Sequence, residues 1–296
     1  MNKQYIFFLV ILCCAGCKSE DGSTQPNQLM EFGNPEKVEM IGYDGHIMEP
    51  FLTRDGKTLF FNNLNDPSEN TNLHWAEKVN ETTFRYKGEI TGVNTSDLEG
   101  VPTMDSFGNL YFVSTRNYAN TLSTLYQCQY VNGVGTNVQI LQGVSKQQAG
   151  WVNFDIEVSA DGQFIYFVDA QFDQSGNSSS ADLVIAQKNA AGFQRLSNSD
   201  DLLKNINTQA LEYAACISSD QLELYFTRVS LPFTSNSSPE ILYATRKNST
   251  APFSIPTKIS TITGFAEAAT ITPDQSALYF HKKEGNTFVL YLIRKK

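Results

Sequence analysis

The chain has 296 residues, of which 41% are apolar and 12% aromatic, so it can bury a large core and is not disordered over its bulk. Its formal net charge is −9. This acidic balance argues against nucleic acid and anionic membrane surfaces as partners.

The first 16 residues have the features of an export signal. Lys3 gives a basic start, and the apolar run Tyr5–Cys14 is too short to span a bilayer as a helix. The run ends in Cys14-Ala-Gly-Cys17, which resembles the bacterial lipobox. The resemblance implies that Cys17 is lipidated and becomes the mature N-terminus, and the alternative is an ordinary cleaved signal. Because two or more acyl chains anchor a protein stably, we expect a membrane-tethered protein.

Residues 17–33 are predicted to form a flexible tether, because Asp21–Gln28 has a linker composition with no apolar side chain. Lys18–Asp21 is similar to the acidic tag of lipoproteins that the Bacteroidetes place on the outer surface of the outer membrane; a solvated linker is the alternative. We therefore expect a chain lipid-anchored to the outer membrane of a bacterial envelope, facing either the periplasm or the outside. Loss of residues 1–16 leaves 21 Lys/Arg against 31 Asp/Glu, a net charge of −10.

Beyond the tether, one short pattern occurs five times: an apolar strand, a polar turn with an aspartate, and a second strand that ends in two bulky aromatic residues. The copies are Glu49–Asn63, Glu99–Ser114, Phe154–Asp169, Ala214–Arg228 and Ala268–Lys282. The turn aspartates are Asp55, Asp105, Asp161, Asp220 and Asp274, separated by 50, 56, 59 and 54 residues. Apolar residues alternate along both runs, as strands require.

The turns predict β-hairpins, because an Asp-Gly pair between two apolar runs lets the glycine adopt a positive φ. Only the first and third copies keep the pair. Asp105 is followed by Ser-Phe-Gly, which suggests a turn one residue longer. Asp220-Gln and Asp274-Gln lack the glycine, so we expect a different turn type there.

A third and a weaker fourth strand follow each hairpin, except that the chain stops after the third strand of the fifth copy. A strand of the fourth type stands alone at residues 35–41. Because an open sheet edge exposes unpaired backbone groups, we predict that this segment is the outer strand of the last sheet. The expected fold is all-β: a single five-bladed β-propeller over residues 34–296, with four-stranded antiparallel blades closed by the N-terminal strand.

The repeat Asp-Gly-x-x-(Leu/Ile)-(Tyr/Phe)-Phe resembles the WD40-like PD40 repeat of TolB-type β-propellers, most closely in the first and third copies. The resemblance implies a propeller and an envelope setting. It implies little about activity, because propellers serve both as enzymes and as passive binding platforms. Five blades are one fewer than TolB has, which weakens the transfer of its partners.

Acidic residues near the start of the inner strands are the candidate ligand-binding set: Glu49, Glu99, Asp155, Glu212 and Glu267. The first three lie six residues before their turn aspartates, and the last two are displaced by one or two positions. Acids gathered around one narrow channel would favour a cation or sugar hydroxyls, or raise one another's pKa. The alternative is that each acid accepts backbone N–H groups where a blade begins.

Three functions are compatible with these residues. The first is a binding or scaffolding module, a monomer whose partner is an envelope protein or a glycan. The second is a glycoside hydrolase with catalytic Glu49, Glu99 and Asp155, since glycosidases need two carboxyl groups at a defined separation. The third is a cation-binding propeller that holds calcium. The sequence has no metal-ligand spacing and no dinucleotide motif, so no other cofactor is expected.

The remaining candidates have plain structural interpretations. Cys128 and Cys216 occupy positions that hold small residues in other copies, so we expect buried thiols rather than a disulfide. Asp169–Asp182 is a polar loop that lacks the order of an EF-hand. Aromatic residues near such loops are expected to pack between blades, with sugar stacking as the alternative; they are Tyr118, Trp151, Phe172 and Phe233.

Overall fold

The computed structural model describes residues 29–65, 70–173, 178–232 and 237–296. The predicted lipidation site Cys17, the signal segment 1–16 and the first part of the tether lie outside these residues. Within them the chain folds into 21 strands and two short helices, α1 Tyr118–Thr121 and α2 Ser199–Leu203. No helix in the described ranges has the length and apolar character needed to cross a membrane.

The strands follow the repeats in chain order. Two short strands come first: β1 Glu36–Lys37 and β2 Glu39–Ile41. The first repeat supplies β3 Met48–Leu52, β4 Thr58–Asn62, β5 Leu73–Asn80 and β6 Thr83–Glu89. The second supplies β7 Glu99–Met104, β8 Asn109–Ser114, β9 Leu125–Val131 and β10 Val134–Ile140.

The later repeats continue the pattern. The third supplies β11 Trp151–Val158, β12 Phe164–Phe172, β13 Ser178–Asn189 and β14 Gly192–Arg195. The fourth supplies β15 Leu211–Ile217, β16 Glu223–Val229, β17 Glu240–Thr245 and β18 Thr257–Lys258. The fifth supplies β19 Ala266–Ile271, β20 Ala277–Glu284 and β21 Thr287–Arg294.

Each repeat forms one antiparallel blade. Within a blade, strands that are successive in the chain lie side by side and pair. The first strand of each blade is the inner one, and the ring axis runs along these inner strands. Over the described ranges the pairings define five blades. In the described ranges two bridges join the repeats of neighbouring blades: Ala181 pairs with Leu211, and Thr91 pairs with Val134.

The two aromatic residues that end each hairpin form the core between blades. All ten are essentially inaccessible to solvent: Phe60 and Phe61, Tyr111 and Phe112, Tyr166 and Phe167, Tyr225 and Phe226, Tyr279 and Phe280. Because side chains alternate along a strand, the first of each pair packs towards the next blade and the second towards the preceding blade. Burying such a side chain stabilises the fold by about 1.5–3 kcal/mol.

The clusters also show that the ring is closed. One cluster lies at each interface between successive blades, and Phe61 of the first blade shares a cluster with Tyr279 of the fifth. The predicted all-β propeller fold is therefore confirmed. Cys128 and Cys216 are buried free thiols in two of these clusters, as predicted.

The predicted closing strand is correct over only part of its length. Residues 32–38 run along β21: Glu36 and Lys37 pair with it, and Val38 N donates to Leu290 O at 2.9 Å. The prediction that residues up to Ile41 also belong to the last blade was wrong. β2 instead pairs in parallel with β6, the outer strand of the first blade. The N-terminal segment thus joins the last blade to the first.

The turn predictions were wrong at three copies. Gln221 and Gln275 adopt positive φ angles of 60° and 59°, close to the 71° and 66° of Gly56 and Gly162, so the turn type is shared. In all four the amide of this residue donates to the carbonyl three residues earlier. The second-blade turn is shorter, not longer, by one residue: Asp105 occupies the position that Ser or Thr has elsewhere and accepts the amides of Phe107 and Asn109.

Candidate functional site at the ring axis

Every inner strand contains one β-bulge at the same level of the ring axis. The pairing between first and second strands shifts there, and one residue adopts a left-handed φ between 49° and 54°. These bulge residues are Glu49, Val101, Asp155, Ala214 and Ala268. Non-glycine residues rarely adopt this conformation, and a bulge redirects its side chain. Such strain is concentrated at functional sites in proteins.

The five bulges surround one cavity on the axis, of about 30 Å³. All five bulge residues line it, and two of them, Glu49 and Asp155, bring carboxyl groups from the first and third blades. The volume has room for roughly one water molecule. A third carboxyl group, that of Glu267 on the fifth blade, stands directly before a bulge and interacts electrostatically with both.

The three carboxyl groups are buried, with residue exposures of 9% for Glu49, 5% for Asp155 and 8% for Glu267. Burial raises the pKa of Glu49 well above its usual range, and the charges of Asp155 and Glu267 raise it further. Burial likewise raises the pKa of Asp155 to about 7; the hydrogen bond from Ala214 N opposes this rise and the charge of Glu267 adds to it. Both shifts favour the protonated forms of the two carboxyl groups over those of exposed ones.

Polar neighbours fix each carboxyl group. Asp155 Oδ2 accepts from Ala214 N at 2.9 Å. Glu49 Oε1 accepts from Asn65 Nδ2 at 3.2 Å. Glu267 accepts from the hydroxyl of Tyr213 through one oxygen, and its other oxygen lies 3.2 Å from His281 Nε2.

Glu99 and Glu212 do not belong to this site, so the prediction that all five acids share one channel mouth was wrong. Both are fully buried two residues before their bulges. Glu99 accepts from Thr95 N at 2.7 Å and lies 2.9 Å from Arg116 Nη2. Glu212 accepts from Thr208 N at 3.0 Å and from Arg228 Nε at 2.7 Å. They satisfy backbone amides where the blades begin, which was the structural alternative.

The error over Glu99 has a local cause. Counting back six residues from the turn aspartate reaches the bulge in the other four blades. In the second blade Asp105 is not equivalent to the other aspartates, because it takes the place of Thr53 two residues earlier. Counting from it therefore stops at Glu99 instead of Val101. The predicted hydrolase set of Glu49, Glu99 and Asp155 accordingly loses Glu99.

Deeper along the axis, an ion pair crosses between blades. Arg54 Nη2 donates to Glu157 Oε1 at 2.8 Å, linking the turn of the first blade to the inner strand of the third. Thr103 Oγ1 donates to the other Glu157 oxygen at 2.7 Å. The pair lies on the turn side of the cavity.

The other features predicted from the sequence, a metal site and aromatic residues near loops, have these outcomes. Within the described residues no group of three His, Cys, Asp or Glu side chains is arranged to hold a metal ion. Tyr118 donates its hydroxyl to Trp151 O at 2.8 Å. Phe172 packs on Phe154, with ring centroids 6.4 Å apart, and the pair continues to Tyr213 beside the acids. Phe233 lies outside the described residues.

Two residues of the site, Tyr213 and His281, were missed by reasoning from the sequence. His281 follows the aromatic pair of its blade, a position that also holds Asn62 and Thr227. Asn62 Oδ1, Thr227 Oγ1 and His281 Nδ1 each accept the bulge amide of the next blade. A polar residue directly after the aromatic pair was thus the available signal.

Comparisons with known proteins agree on the fold. No family model matches the chain, and no curated protein sequence matches it. A glycoside hydrolase structure is similar at a TM-score of 0.61 and 10% identity, covering 90% of this chain and 93% of that one. A family 117 glycoside hydrolase from the marine bacterium Zobellia galactanivorans is similar at a TM-score of 0.55 and 10% identity, covering 90% of each chain.

TolB from Acinetobacter baumannii is similar at a TM-score of 0.45 and 13% identity, covering 85% of this chain and 55% of that one, a likeness too low to carry an argument. The comparisons therefore support a β-propeller, without distinguishing the TolB type. The fold and the site together define a propeller with a buried acidic centre on its axis.

Proposed function

We propose that this protein hydrolyses glycosidic bonds, with Glu49 as proton donor and Asp155 as general base or nucleophile. The observation that carries the proposal is the meeting of Glu49, Asp155 and Glu267 from separate blades, with raised pKa values on the first two. Glycosidases need one protonated and one ionised carboxyl group on either side of the scissile bond. The fold of the similar glycoside hydrolases favours this function over passive binding.

The neighbours of each acid suit these roles. Burial and two nearby carboxyl groups oppose the ionisation of Glu49 and raise its pKa well above the usual range, as a proton donor requires. Asp155, with a pKa of about 7, is available as a base, and Ala214 N orients its carboxyl group. Since the cavity of about 30 Å³ cannot enclose a sugar ring, the scissile bond would lie over its mouth. Phe154, Phe172 and Tyr213 form a partly buried row of aromatic rings that leads to Glu267.

Turnover of a panel of aryl glycosides and envelope polysaccharides by the purified protein tests the proposal. We expect Glu49→Gln to lower kcat/KM by about 100-fold or more, because general acid catalysis contributes about 10²–10⁴. The matched control is Glu77→Gln at an exposed ion pair with Lys87, which should stay within about twofold of wild type.

Activity should rise with pH as Asp155 ionises near 7 and fall when Glu49 ionises at higher pH. Equal turnover by wild type and Glu49→Gln would refute the proposal.

A glycan-binding module without turnover is the second candidate, favoured by the small volume of the axial cavity. In that case calorimetric titration of the same glycans would detect binding by wild type and by Glu49→Gln, with no product from either. Calcium added to the protein would leave its melting temperature unchanged under both proposals, whereas a calcium-storing propeller would melt at higher temperature.

We also propose that the protein is a lipoprotein of the bacterial envelope, anchored to the outer membrane through Cys17 after removal of residues 1–16. The support is the lipobox-like Cys-Ala-Gly-Cys sequence together with the PD40-like repeat. Mass spectrometry of the mature N-terminus should find a diacylated Cys17, and Cys17→Ser should release the protein from membranes. An unmodified N-terminus elsewhere would contradict this assignment.

A further inference from the structure

His281 connects two of the three axial acids, although it lies on a second strand rather than an inner one. Its side chain is fully buried on β20 and contacts one residue on each of the inner strands β19 and β3. Its Nδ1 accepts the backbone amide of Glu49 at 3.2 Å. Its Nε2 lies 3.2 Å from Oε2 of Glu267. One imidazole therefore contacts acid-bearing residues of the fifth and first blades.

These contacts fix the protonation of the ring. Because an amide N–H can only donate, Nδ1 must offer its lone pair and carries no proton. In a neutral imidazole the proton then sits on Nε2, from which it is donated to Glu267. The ring of Phe288 packs edge-on at 5.4 Å between centroids and makes the surroundings apolar. His281 is thus a neutral Nε2–H tautomer with one acceptor and one donor position, both used.

The Glu267 carboxyl group accepts more side-chain hydrogen bonds than the Glu49 carboxyl group does. From β15 the Tyr213 hydroxyl donates to one oxygen, and from β20 His281 donates to the other. Across the axis Glu49 and Asp155 repel it, and its own charge raises the pKa of each of them. Hydrogen bonds to the charged form of a carboxyl group favour that form. Glu49, by contrast, receives one amide donor, from Asn65.

We propose that His281 is a positioning residue: it donates from Nε2 to the Glu267 carboxyl group, accepts the Glu49 amide at Nδ1, and thereby favours the protonated form of Glu49. Its Nε2–H stabilises the Glu267 carboxylate, while its Nδ1 holds the left-handed backbone of Glu49 at the bulge. The inference deepens the proposed function and rests on it only for catalysis. The distribution of protons among the acids is measurable without a substrate.

The first test uses unmodified protein. Two-bond ¹H–¹⁵N correlation spectra of ¹⁵N-histidine-labelled full-length protein at pH 7 report which imidazole nitrogen carries the proton. We expect the Nε2–H tautomer for His281, assigned by its loss in His281→Gln. An Nδ1–H tautomer or an imidazolium would overturn the proposal.

The second test compares two substitutions by NMR titration of ¹³C-carboxyl-labelled glutamate from pH 4 to pH 9. A glutamine at 281 can accept from the Glu49 amide and donate to Glu267, whereas leucine can do neither. In His281→Leu we expect Glu49 to release its proton at lower pH, by up to about tenfold in proton affinity, because the lost hydrogen bond weakens the repulsion that the Glu267 carboxyl group exerts on Glu49. Glu49→Gln and Glu267→Gln assign the signals.

His281→Gln should titrate like wild type. If His281→Leu also titrates like wild type while its melting temperature falls, the role of the residue is structural only and the proposal fails. If His281→Gln behaves like His281→Leu, the hydrogen bonds are not the cause and the proposal fails as well. Absence of glycoside turnover with the expected titrations would refute the hydrolase function and leave this inference standing.

Discussion

Two sets of buried acids lie on different inner strands, at positions that differ by two residues relative to the bulge, and they serve opposite purposes. Glu99 and Glu212 stand before their bulges, each with an arginine and a backbone amide as partners. Glu49 and Asp155 stand on their bulges, where no arginine accompanies either carboxyl group among the hydrogen bonds and ion pairs of the described chain. The first set stabilises the blades, and the second carries unrelieved repulsion.

The difference shows that position relative to the bulge, and not burial, decides what an acid does in this ring. Two residues before the bulge, as at Glu99 and Glu212, the side chain turns into its own blade, towards the loop at which the blade begins. On the bulge it turns to the axis, where it meets acids from other blades. Pairing satisfies the first set, so its members are structural. The second set has raised pKa values, which is what acid–base chemistry near neutral pH requires.

The largest effect is expected from removing a paired acid. Glu212→Ala leaves Arg228 and the Thr208 amide without their buried partner, and such a loss costs about 3–5 kcal/mol. Urea denaturation of the variant should show this decrease in the free energy of unfolding. The control Glu240→Ala breaks an exposed ion pair with Lys258 and should change stability by less than about 1 kcal/mol. Equal effects would mean that Glu212 is not structural.

An axial acid should behave in the opposite way, in a manner that depends on pH. Asp155 has a pKa of about 7 in the folded protein and 3.8 as the reference value, so between these values only the folded state keeps the proton. Unfolding then releases a proton, and stability falls as pH rises from about 4 to about 7. Asp155→Asn removes this fall and should be more stable than wild type at pH 8, by at most about 4 kcal/mol.

Thermal unfolding at pH 5 and pH 8 measures this difference, and Asp274→Asn provides a control of opposite sign. Hydrogen bonds, first from the Thr272 hydroxyl, lower the pKa of Asp274, so its contribution to stability is present above its reference pKa and lost as pH falls. Asp274→Asn should therefore destabilise at pH 8 and have less effect at acidic pH. If Asp155→Asn follows the same trend, the axial acids are not held protonated.

A smaller effect on stability is expected from relieving the left-handed backbone of a bulge. Ala268 has a φ of 54° and Ala269 does not have a positive φ, while their exposures are 6% and 5%. Glycine relieves the left-handed strain only at the first position, so Ala268→Gly should cost about 1 kcal/mol less than Ala269→Gly. Matched chemical denaturation curves test this. Equal costs would indicate that the bulges carry no strain.

Much of the fold was readable from local patterns. The repeated apolar strands, each copy ending in an aromatic pair from Phe60-Phe61 to Tyr279-Phe280, predicted the hairpins because alternation along a strand is a local property. The lone strand near residue 36 predicted ring closure, since the fifth copy lacks an outer strand. The crossing of β2 to the first blade was not predictable, because a three-residue strand has no pattern that names its neighbour.

The candidate site was only partly readable. Glu49, Asp155 and Glu267 were among the predicted acids, but Glu99 and Glu212 looked the same in sequence. The second turn is one residue shorter than the others, so Asp105 is equivalent to Thr53 and not to Asp55. The sequence pattern alone does not reveal this shift. Tyr213 and His281 reach the site from neighbouring strands, so their contacts join residues that lie 54 and 232 positions from their partners.

The sequence by itself determined that this chain forms repeated antiparallel hairpins with aromatic cores, because strand alternation and turn chemistry are local properties. Tertiary structure alone decided which acids meet. The left-handed bulge reverses the direction of a side chain without any residue preference that marks it, and the axis brings together residues from blades that are distant in the chain.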